Sequence, residues 1–399
     1  MSLRRYHSPV AKAMEQNPLR PNWSIQRPGL LSLAFGFPDA SSFPYADLGD
    51  STQRLMTRRE SEALQYGPVA GPEPLRRFVA EWVNKTEGLG VEPDNVLITS
   101  GASQAIVLAA RLLVPADGTV LVESPTFIGA LWFLRGLGMR VVGVPVDADG
   151  LNPDALSTTV HTLRKSGGSV NLVYTMPTVH NPIGTNSTSS RRQELARLAD
   201  MLDLVFLEDD AYGDLIFDGD RPGALYSLGG PQRVIKIGTF SKLIAGGMRL
   251  GWALADPDDI ATMCGLKADS ATGPFAAWTA AEYLIGGALG ERVPVLREMY
   301  RKRRDVLLAE LQPLVALGCT WDIPVGGFFV WLTLPSGADS EAIRPAIEEY
   351  GVGYLPGHHC FADASRRQDL RLAYSYLTED EIREAARRLV RGLGAVLQE

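Results

Sequence analysis

Short apolar runs alternate with stretches of helical spacing through the middle of the chain. Apolar and β-branched residues fill most positions of the strand-like runs, which lie at residues 95–100, 119–124, 140–146, 171–176, 204–209, 233–240 and 251–255. Apolar residues recur at helical spacing between them, at 103–114, 127–138 and 191–203. Strands that are apolar on both sides are buried on both faces, so this alternation predicts an α/β fold with a mostly parallel sheet covered by helices.

The last third of the chain has a different pattern. Its periodicity predicts a long amphipathic helix over roughly residues 293–317, a helix from Ser340, and strands at 328–334 and 370–376. Thr378 and Glu381 have the spacing of a capping box, which predicts the start of a final helix. These elements indicate a smaller α+β domain after the large one.

Composition narrows the class of protein without indicating a reaction. The 399 residues are 45% hydrophobic and 21% charged, which is typical of a globular protein with a large core. The net charge of −7 gives no indication of nucleic-acid binding. Three widely spaced cysteines form neither a disulfide framework nor a metal set, and we expect no metal. With no visible secretory signal and no apolar run of membrane-spanning length, we expect a cytoplasmic protein.

The carboxyl ends of parallel strands are where such a fold binds its ligand, so the polar residues there carry the candidate chemistry. Lys242 follows the strand 233–240 in the glycine-rich stretch "GTFSKLIAGGMRLGW". Partial desolvation at such a position lowers the pKa of a lysine amine and makes it a nucleophile able to form a Schiff base. A solvated loop lysine is the simpler interpretation of the Ser-Lys dipeptide by itself.

Two other strand ends carry partners for a flat, charged ring. Asp209 ends the strand 204–209, and a buried aspartate needs a cation, for which a protonated pyridine nitrogen would serve. Tyr212, three residues later, and Asn181, before Pro182, carry polar groups that could reach an oxygen on the same ring. Taken singly, these residues are equally well explained as a helix cap, a packed tyrosine and an Asn-Pro turn.

Donors suited to a phosphate occur at two further places. A helix start after the strand 95–100 directs backbone N–H groups and a favourable dipole at an anion, and it comprises Gly101, Ala102 and Ser103. Hydroxyl and guanidinium donors are added by Thr239, Ser241 and Arg249. With Phe127 able to cover a flat ring, the full set of groups matches one cofactor, pyridoxal 5′-phosphate.

Ordered motifs from about Leu31 to the C-terminus resemble those of the fold-type I pyridoxal-phosphate-dependent aminotransferases of class I/II. Within that class the sequence is similar to the 2-aminoadipate aminotransferases and to the aminotransferase domain of GntR-type regulators. The motifs are "LAFGFPDASSFP", "LQYGPVAGPEPLRRFVAEWV", "SPTFIGAL", "HNPIGT", "LEDDAYGDL", "FSKLIAGGMRLGW", "PVGGFFVWLTLP", "YLPGHHCF" and "LRLAYS". The resemblance implies a seven-stranded-type sheet in a large cofactor domain (46–290), a small domain (291–399), and an N-terminal segment (1–45) that contributes to the small domain and the substrate pocket.

The resemblance also implies roles for individual residues. Lys242 forms the Schiff base and shuttles the proton, Asp209 pairs with the pyridinium nitrogen, and Tyr212 binds the ring oxygen with Asn181. Phe127 stacks on the ring. The phosphate is held by Gly101, Ala102, Ser103, Thr239, Ser241 and Arg249. Substrate is bound by Arg371, which grips the α-carboxylate, together with Asn181 and Gly36. Tyr66 reaches the phosphate of the neighbouring subunit, which implies a homodimer.

The implied reaction moves the amino group of an α-amino acid to a 2-oxo acid, with no nucleic acid or membrane as partner. The sequence departs from the family pattern at Phe127, which lacks the usual tyrosine hydroxyl, at Ile183 and at Gly246. Elimination, γ-replacement or cyclisation by a related pyridoxal-phosphate enzyme therefore stays open as an alternative. An effector-sensing domain of a transcription regulator is a separate alternative, although no basic recognition helix is visible in the sequence. The roles of three histidines near the expected site also stay open: His180, His358 and His359.

Overall fold

The structure is a computed structural model that describes residues 7–15, 29–59 and 61–398. Its strands are β1 (Leu31–Ser32), β2 (Val96–Thr99), β3 (Thr119–Ser124), β4 (Arg140–Asp147), β5 (Gly150–Leu151), β6 (Val170–Thr175), β7 (Val205–Asp209), β8 (Val234–Thr239), β9 (Gly251–Leu254), β10 (Thr320–Trp321), β11 (Phe329–Thr333), β12 (Val352–Gly353), β13 (Leu355–Pro356) and β14 (Asp369–Ala373). Its α-helices are α1 (Pro9–Glu15), α2 (Tyr45–Arg58), α3 (Glu73–Glu87), α4 (Ala102–Leu113), α5 (Ile128–Gly136), α6 (Pro153–Lys165), α7 (Ser189–Met201), α8 (Leu225–Gly229), α9 (Pro257–Leu266), α10 (Pro274–Ile285), α11 (Ala288–Leu311), α12 (Arg344–Glu349) and α13 (Glu379–Val396).

Among the described residues, eight strands form the large sheet, in the order β2-β9-β8-β7-β6-β3-β4-β5. The pairs from β8 through β7, β6 and β3 to β4 are parallel, whereas β9 is antiparallel to both of its neighbours. Every residue of β2, β8 and β9 is buried. The mostly parallel sheet of the α/β fold is thereby confirmed, with the two-residue edge strand β5 as an addition to the expected seven.

A second sheet of four antiparallel strands, in the order β10-β11-β14-β13, is built from the last third of the chain. The short strand β1 pairs in parallel with β12, and the backbone N–H of Ala373 on β14 donates to the carbonyl of Leu33. The segment that follows residue 29 is thus tied to the C-terminal third. Residues 1–6 and 16–28 of the predicted N-terminal segment lie outside the described residues.

Three predicted element boundaries can be compared directly with the structure. The capping box at Thr378 and Glu381 is confirmed, with both reciprocal hydrogen bonds present at the start of α13. The long helix begins earlier than predicted, at Ala288, and a 3₁₀ turn follows it from Gln312 to Leu317. The prediction of a helix from Ser340 is wrong, because α12 begins only at Arg344. The carboxylate of Asp339 accepts the N–H groups of residues 341 and 342 and holds this segment in a turn.

Among the described residues, no helix is both long enough and apolar enough to cross a membrane.

Candidate active site

A cavity of about 540 Å³ lies where the carboxyl ends of the parallel strands meet the segment 37–43. Because β6, β7 and β8 run in the same direction, the loops that follow them open at one edge of the sheet. Ten of the predicted catalytic and cofactor-binding residues line this cavity: Ala102, Ser103, Phe127, Asn181, Asp209, Tyr212, Thr239, Ser241, Lys242 and Arg249. Segments far apart in the chain are therefore brought to one site, as the strand pattern predicted.

Lys242 lies on a single π-helical turn, Ser241–Ala245, directly after the buried strand β8. Its amine donates a hydrogen bond to the carbonyl oxygen of Gly36 at 3.1 Å. Burial, together with the charges of Arg371 and Arg249, lowers the pKa of the amine to about 8. About half of the amine is then uncharged at pH 8, whereas an ordinary lysine would be almost fully protonated. The side chain thus meets the requirement for a nucleophilic amine.

Asp209 ends β7 with its carboxylate only 2% exposed. One oxygen accepts a hydrogen bond from the hydroxyl of Tyr174 at 2.7 Å, and the other accepts one from the backbone N–H of Ala211 at 3.1 Å. Burial raises the pKa of the carboxyl to about 6, and the bond from Tyr174 opposes that shift. At pH 7 and above, a buried anion therefore borders the cavity, and a cationic ring nitrogen would stabilise it.

Two residues that support this site were missed from the sequence. Tyr174 lies within the predicted strand 171–176, and nothing in an apolar run marks which side chain reaches across to β7. Buried Glu123 accepts hydrogen bonds from the Thr175 hydroxyl at 2.6 Å and from the Met176 N–H at 2.8 Å, and it lies 3.1 Å from Nε2 of His180. The carboxylate therefore holds the loop that leads to Asn181. The only available signal was a glutamate inside the apolar run "TVLVES".

Arg371 lies on β14 and is buried, with its guanidinium carbon 4.1 Å from the centroid of the Phe329 ring. It donates to the Asn181 side-chain oxygen at 3.3 Å and to the carbonyl of Ala34 at 3.0 Å. Within the described part of the chain its Nε has no hydrogen-bond partner, and no carboxylate pairs with the guanidinium. A buried guanidinium in this state is suited to bind a substrate carboxylate.

Gly36 must be a glycine because of this arrangement. A Cβ atom at position 36 would lie 2.2 Å from the ring of Phe329, the ring on which the Arg371 guanidinium rests. The missing side chain lets the backbone carbonyl of Gly36 approach the Lys242 amine. Gly36 therefore lies between the predicted nucleophile and the predicted carboxylate-binding residue.

The predicted phosphate donors lie together at the start of α4. Gly101 has φ +78°, and a Cβ there would lie 2.7 Å from a guanidinium nitrogen of Arg249. Arg249 donates to the Ser103 hydroxyl at 3.3 Å, and the Thr239 hydroxyl donates to that of Ser241 at 2.9 Å. The first N–H groups of a helix have no partner within it, so this corner concentrates hydrogen-bond donors suited to an anion.

Phe127 precedes α5 and borders the cavity. A Cβ at position 129 would lie 2.4 Å from its ring, so Gly129 leaves the space that the aromatic ring occupies. Tyr66, by contrast, is 95% exposed on this single chain and is not among the residues that line the cavity. The structure thus places one predicted cofactor residue on the outer surface.

The three histidines occupy two different places. His180 packs against Glu123, and its Nδ1 accepts from the backbone N–H of Ile183 at 3.4 Å. His358 and His359 lie outside the cavity lining, in the 3₁₀ turn Gly357–Cys360, with ring centroids 4.0 Å apart.

A buried ion cluster lies behind the site and joins β7 to β8. Fully buried Lys236 lies 2.8 Å from the Asp210 carboxylate and 3.0 Å from that of Glu87, and Arg221 pairs with both acids. These ion pairs lower the pKa of the Asp210 carboxyl even though burial alone would raise it. Asp209 and Asp210, which are adjacent at the end of β7, therefore have carboxyl pKa values that are shifted in opposite directions.

The fold and the site define a pyridoxal-phosphate-dependent enzyme, because they unite an activated lysine, a buried aspartate and an anion-binding helix start in one cavity. The model for class I and II aminotransferases matches residues 32–389. The chain belongs to this family.

Two relatives and one solved structure show which kinds of aminotransferase this chain is similar to. The chain is 34% identical over 388 residues to the aromatic-amino-acid aminotransferase 1 of Thermococcus litoralis, covering 96% of this chain and 93% of that protein. It is also 34% identical to the 2-aminoadipate transaminase of Thermus thermophilus, covering 93% and 92% of the two chains. The crystal structure of Pyrococcus horikoshii kynurenine aminotransferase, in complex with PMP, KYN and KYA, matches with a TM-score of 0.92 and 34% identity over 99% of this chain and 98% of that one.

An uncharacterised HTH-type transcriptional regulator of Bacillus subtilis, YisV, is 31% identical over 97% of this chain and 78% of its own length. The similarity to both the 2-aminoadipate aminotransferases and the regulator group is thereby confirmed. The protein is a pyridoxal-phosphate-dependent transferase that moves an amino group between amino acids and 2-oxo acids.

Proposed function

We propose that the amino donor is an α-amino acid with a large apolar or aromatic side chain. The observation that carries this proposal is the group of apolar and aromatic residues that line the cavity besides the predicted site residues: Phe37, Pro38, Phe43, Phe133, Met176 and Tyr376. The rings of Phe37 and Tyr376 meet edge to face at 6.2 Å between centroids. Aromatic walls of this kind favour an apolar side chain.

Charge in the cavity supports the same substrate class. Among the described residues that line it, the cationic side chains are Lys242 and Arg249, and Arg249 lies at the phosphate donors. A donor with a second carboxylate on its side chain would need another cation to compensate its desolvation. The names of two similar proteins, an aromatic-amino-acid aminotransferase and a kynurenine aminotransferase, agree with an aromatic donor.

The predicted site residues then have distinct tasks, two of which fall to Asn181. Arg371 binds the α-carboxylate of the donor, with Asn181 orienting the guanidinium. With pyridoxal phosphate bound, Asp209 would hold a proton on the ring nitrogen, Tyr212 and Asn181 would bind the ring oxygen, and Phe127 would cover the ring. The bound pyridoxal phosphate supplies an electron sink for the charge that develops at Cα. The Lys242 amine takes up the α-proton, a general-base step worth roughly 10²–10⁴-fold in rate.

The exposed position of Tyr66 supports a homodimer in which each chain completes the phosphate site of the other. Leu64, Phe275 and Ile285 are further apolar side chains exposed on the single chain. We assign residues 46–290 to a large cofactor domain, residues 291–399 to a small domain, and residues 1–45 to a segment that joins the small domain at the substrate pocket. We also place the protein in the cytoplasm, since three free cysteines agree with a reducing compartment.

A donor screen on the purified holoenzyme tests the proposal. Aromatic and large aliphatic amino acids should convert the bound cofactor to its aminated form, seen by absorbance, and a 2-oxo acid should restore the original spectrum. We expect kcat/KM for these donors to exceed that for aspartate and glutamate by at least about 10-fold, the effect of roughly 1.4 kcal/mol. A preference for dicarboxylic donors would contradict the assignment of the side-chain class. Turnover without any 2-oxo acid would favour elimination, replacement or cyclisation instead.

A further inference from the structure

Glu341, His358 and His359 form a cluster of potential ligands outside the candidate active site. One ligand atom from each residue lies within 4.8 Å of those of the other two. Glu341 belongs to the segment between β11 and α12, and the two histidines to the 3₁₀ turn Gly357–Cys360 after β13. The sequence predicts no metal site here, because Glu341 is distant from the histidine pair along the chain.

Two atoms of this cluster lack the partners that buried polar atoms normally have. His358 is 6% exposed, and its Nδ1 is buried without a hydrogen-bond partner in the described part of the chain. Oε2 of Glu341 is in the same state. Buried nitrogen and oxygen atoms are nearly always satisfied by protein, water or an ion, so an unpartnered polar atom on each of two neighbouring side chains indicates that a ligand binds there.

Hydrogen bonding within the cluster does not account for these atoms. Nε2 of His359 lies 3.9 Å from Oε2 of Glu341, which is too long for a hydrogen bond. Two ligands of one tetrahedral zinc ion are about 3.3 Å apart, given bonds of about 2.0–2.2 Å, so a small movement would suffice.

Arg344 orients the Glu341 carboxylate. Oε1 of Glu341 accepts a hydrogen bond from Arg344 at 2.9 Å, which turns Oε2 toward the histidines. Arg344 also pairs with Glu348 at 3.1 Å. The Glu348 carboxylate thus offsets part of the positive charge that Arg344 places beside Glu341.

We propose that Glu341, His358 and His359 bind one divalent transition-metal ion of the zinc type, with water in the fourth position. Two imidazoles and one carboxylate are a ligand set that Zn²⁺ and Co²⁺ accept in tetrahedral geometry, whereas Mg²⁺ and Ca²⁺ require oxygen ligands.

The site lies close to the candidate active site through the backbone. The N–H of Thr126 donates to the carbonyl of Cys360 at 2.8 Å, and Thr126 directly precedes Phe127. A metal ion bound by the turn Gly357–Cys360 therefore stabilises the segment that presents Phe127 to the cavity. Its role is structural, because none of its three ligands lines that cavity.

Cobalt binding to the holoenzyme, after chelator treatment and buffer exchange, tests the proposal. We expect one Co²⁺ per chain with the intense visible d–d absorption of a tetrahedral site, and displacement of that absorption by Zn²⁺. The variants E341Q and H359Q should lose this absorption. They should also bind Zn²⁺ more than about 100-fold more weakly, since loss of a residue that only supports a metal ligand already weakens binding roughly 10–100-fold.

The matched control is H161Q, because His161 is exposed on α6, away from the cluster. It should bind Co²⁺ like the parent protein, and the absorbance of the bound cofactor should show that all three variants are folded. Weak octahedral binding, or equal Co²⁺ binding by E341Q, H359Q and H161Q, would overturn the proposal.

Discussion

Replacement of Asp209 by asparagine should stabilise the apoenzyme while it impairs the enzyme. The carboxyl is 2% exposed, and its pKa is raised from 3.8 to about 6, mainly by burial. The folded state therefore holds the proton more tightly than the unfolded state does. The ionised carboxylate consequently costs the folded state about 3 kcal/mol above pH 6, at 1.36 kcal/mol for each unit of pKa.

The net gain is smaller, because asparagine can replace only one of the two oxygens that accept from Tyr174 and Ala211. Subtracting about 1 kcal/mol for the lost hydrogen bond leaves about 2 kcal/mol at pH 8. Unfolding entropies of about 2.1 cal/mol/K per residue convert this gain into a rise of about 2–3 °C in Tm for a chain of 399 residues.

Thermal unfolding of the apoenzyme at pH 8 and pH 5 is the assay. The cost of ionised Asp209 is lost as the pH falls through 6 toward 3.8, so about half of it should be gone at pH 5. In the holoenzyme, D209N should no longer have a higher Tm than the parent protein, since the bound cofactor loses the anion that pairs with its ring nitrogen. A D209N apoenzyme with an unchanged or lower Tm at pH 8, or a gain equal at both pH values, would refute the reasoning.

Replacement of the neighbouring Asp210 is a control in which the expected change in the free energy of unfolding has the opposite sign. Asp210 is paired with Lys236 and Arg221, and these ion pairs lower the pKa of its carboxyl. Its stabilising effect is therefore present throughout pH 5–8 and is lost only as the pH falls below the range of ordinary aspartates. D210N leaves buried Lys236 and partly buried Arg221 without this partner and should destabilise the protein by about 3–5 kcal/mol at both pH values.

Three further predictions concern the other site residues. R371K keeps the charge but not the planar fork, so KM for the amino donor should rise about 10–100-fold with the spectrum of the bound cofactor unchanged; an unaltered KM would remove Arg371 from the carboxylate site. Y174F removes a hydrogen bond to an anion worth roughly 1.5–3 kcal/mol, so the pKa of Asp209 in the apoenzyme should rise by about 1–2 units in a carboxyl infrared titration, and no change would mean that the bond is not made. Inactive K242A mixed with impaired Y66F should regain activity through hybrid dimers that hold one intact site, whereas no regain would place Tyr66 outside the partner's site.

The sequence by itself determined the layers of the fold and most of the candidate site. Strands buried on both faces must be apolar along their whole length, and this pattern is readable without any knowledge of neighbours. The polar residues that follow such strands are equally visible, and parallel topology brings them to one edge. Lys242, Asp209, Asn181 and the helix start at Gly101 could therefore be placed from local signals alone.

Only the tertiary structure decided which side chains support those residues. The bond from Tyr174 to Asp209 joins β6 to β7, and Glu123 reaches the loop after β6 from β3. The same holds for Glu341, which meets the pair at His358 only because two distant turns pack together. Such pairs depend on strand register and on how separate segments pack together. Neither can be predicted from the local sequence pattern. The helix predicted from Ser340 likewise begins only at Arg344, because the Asp339 carboxylate accepts backbone N–H groups and holds the preceding residues in a turn.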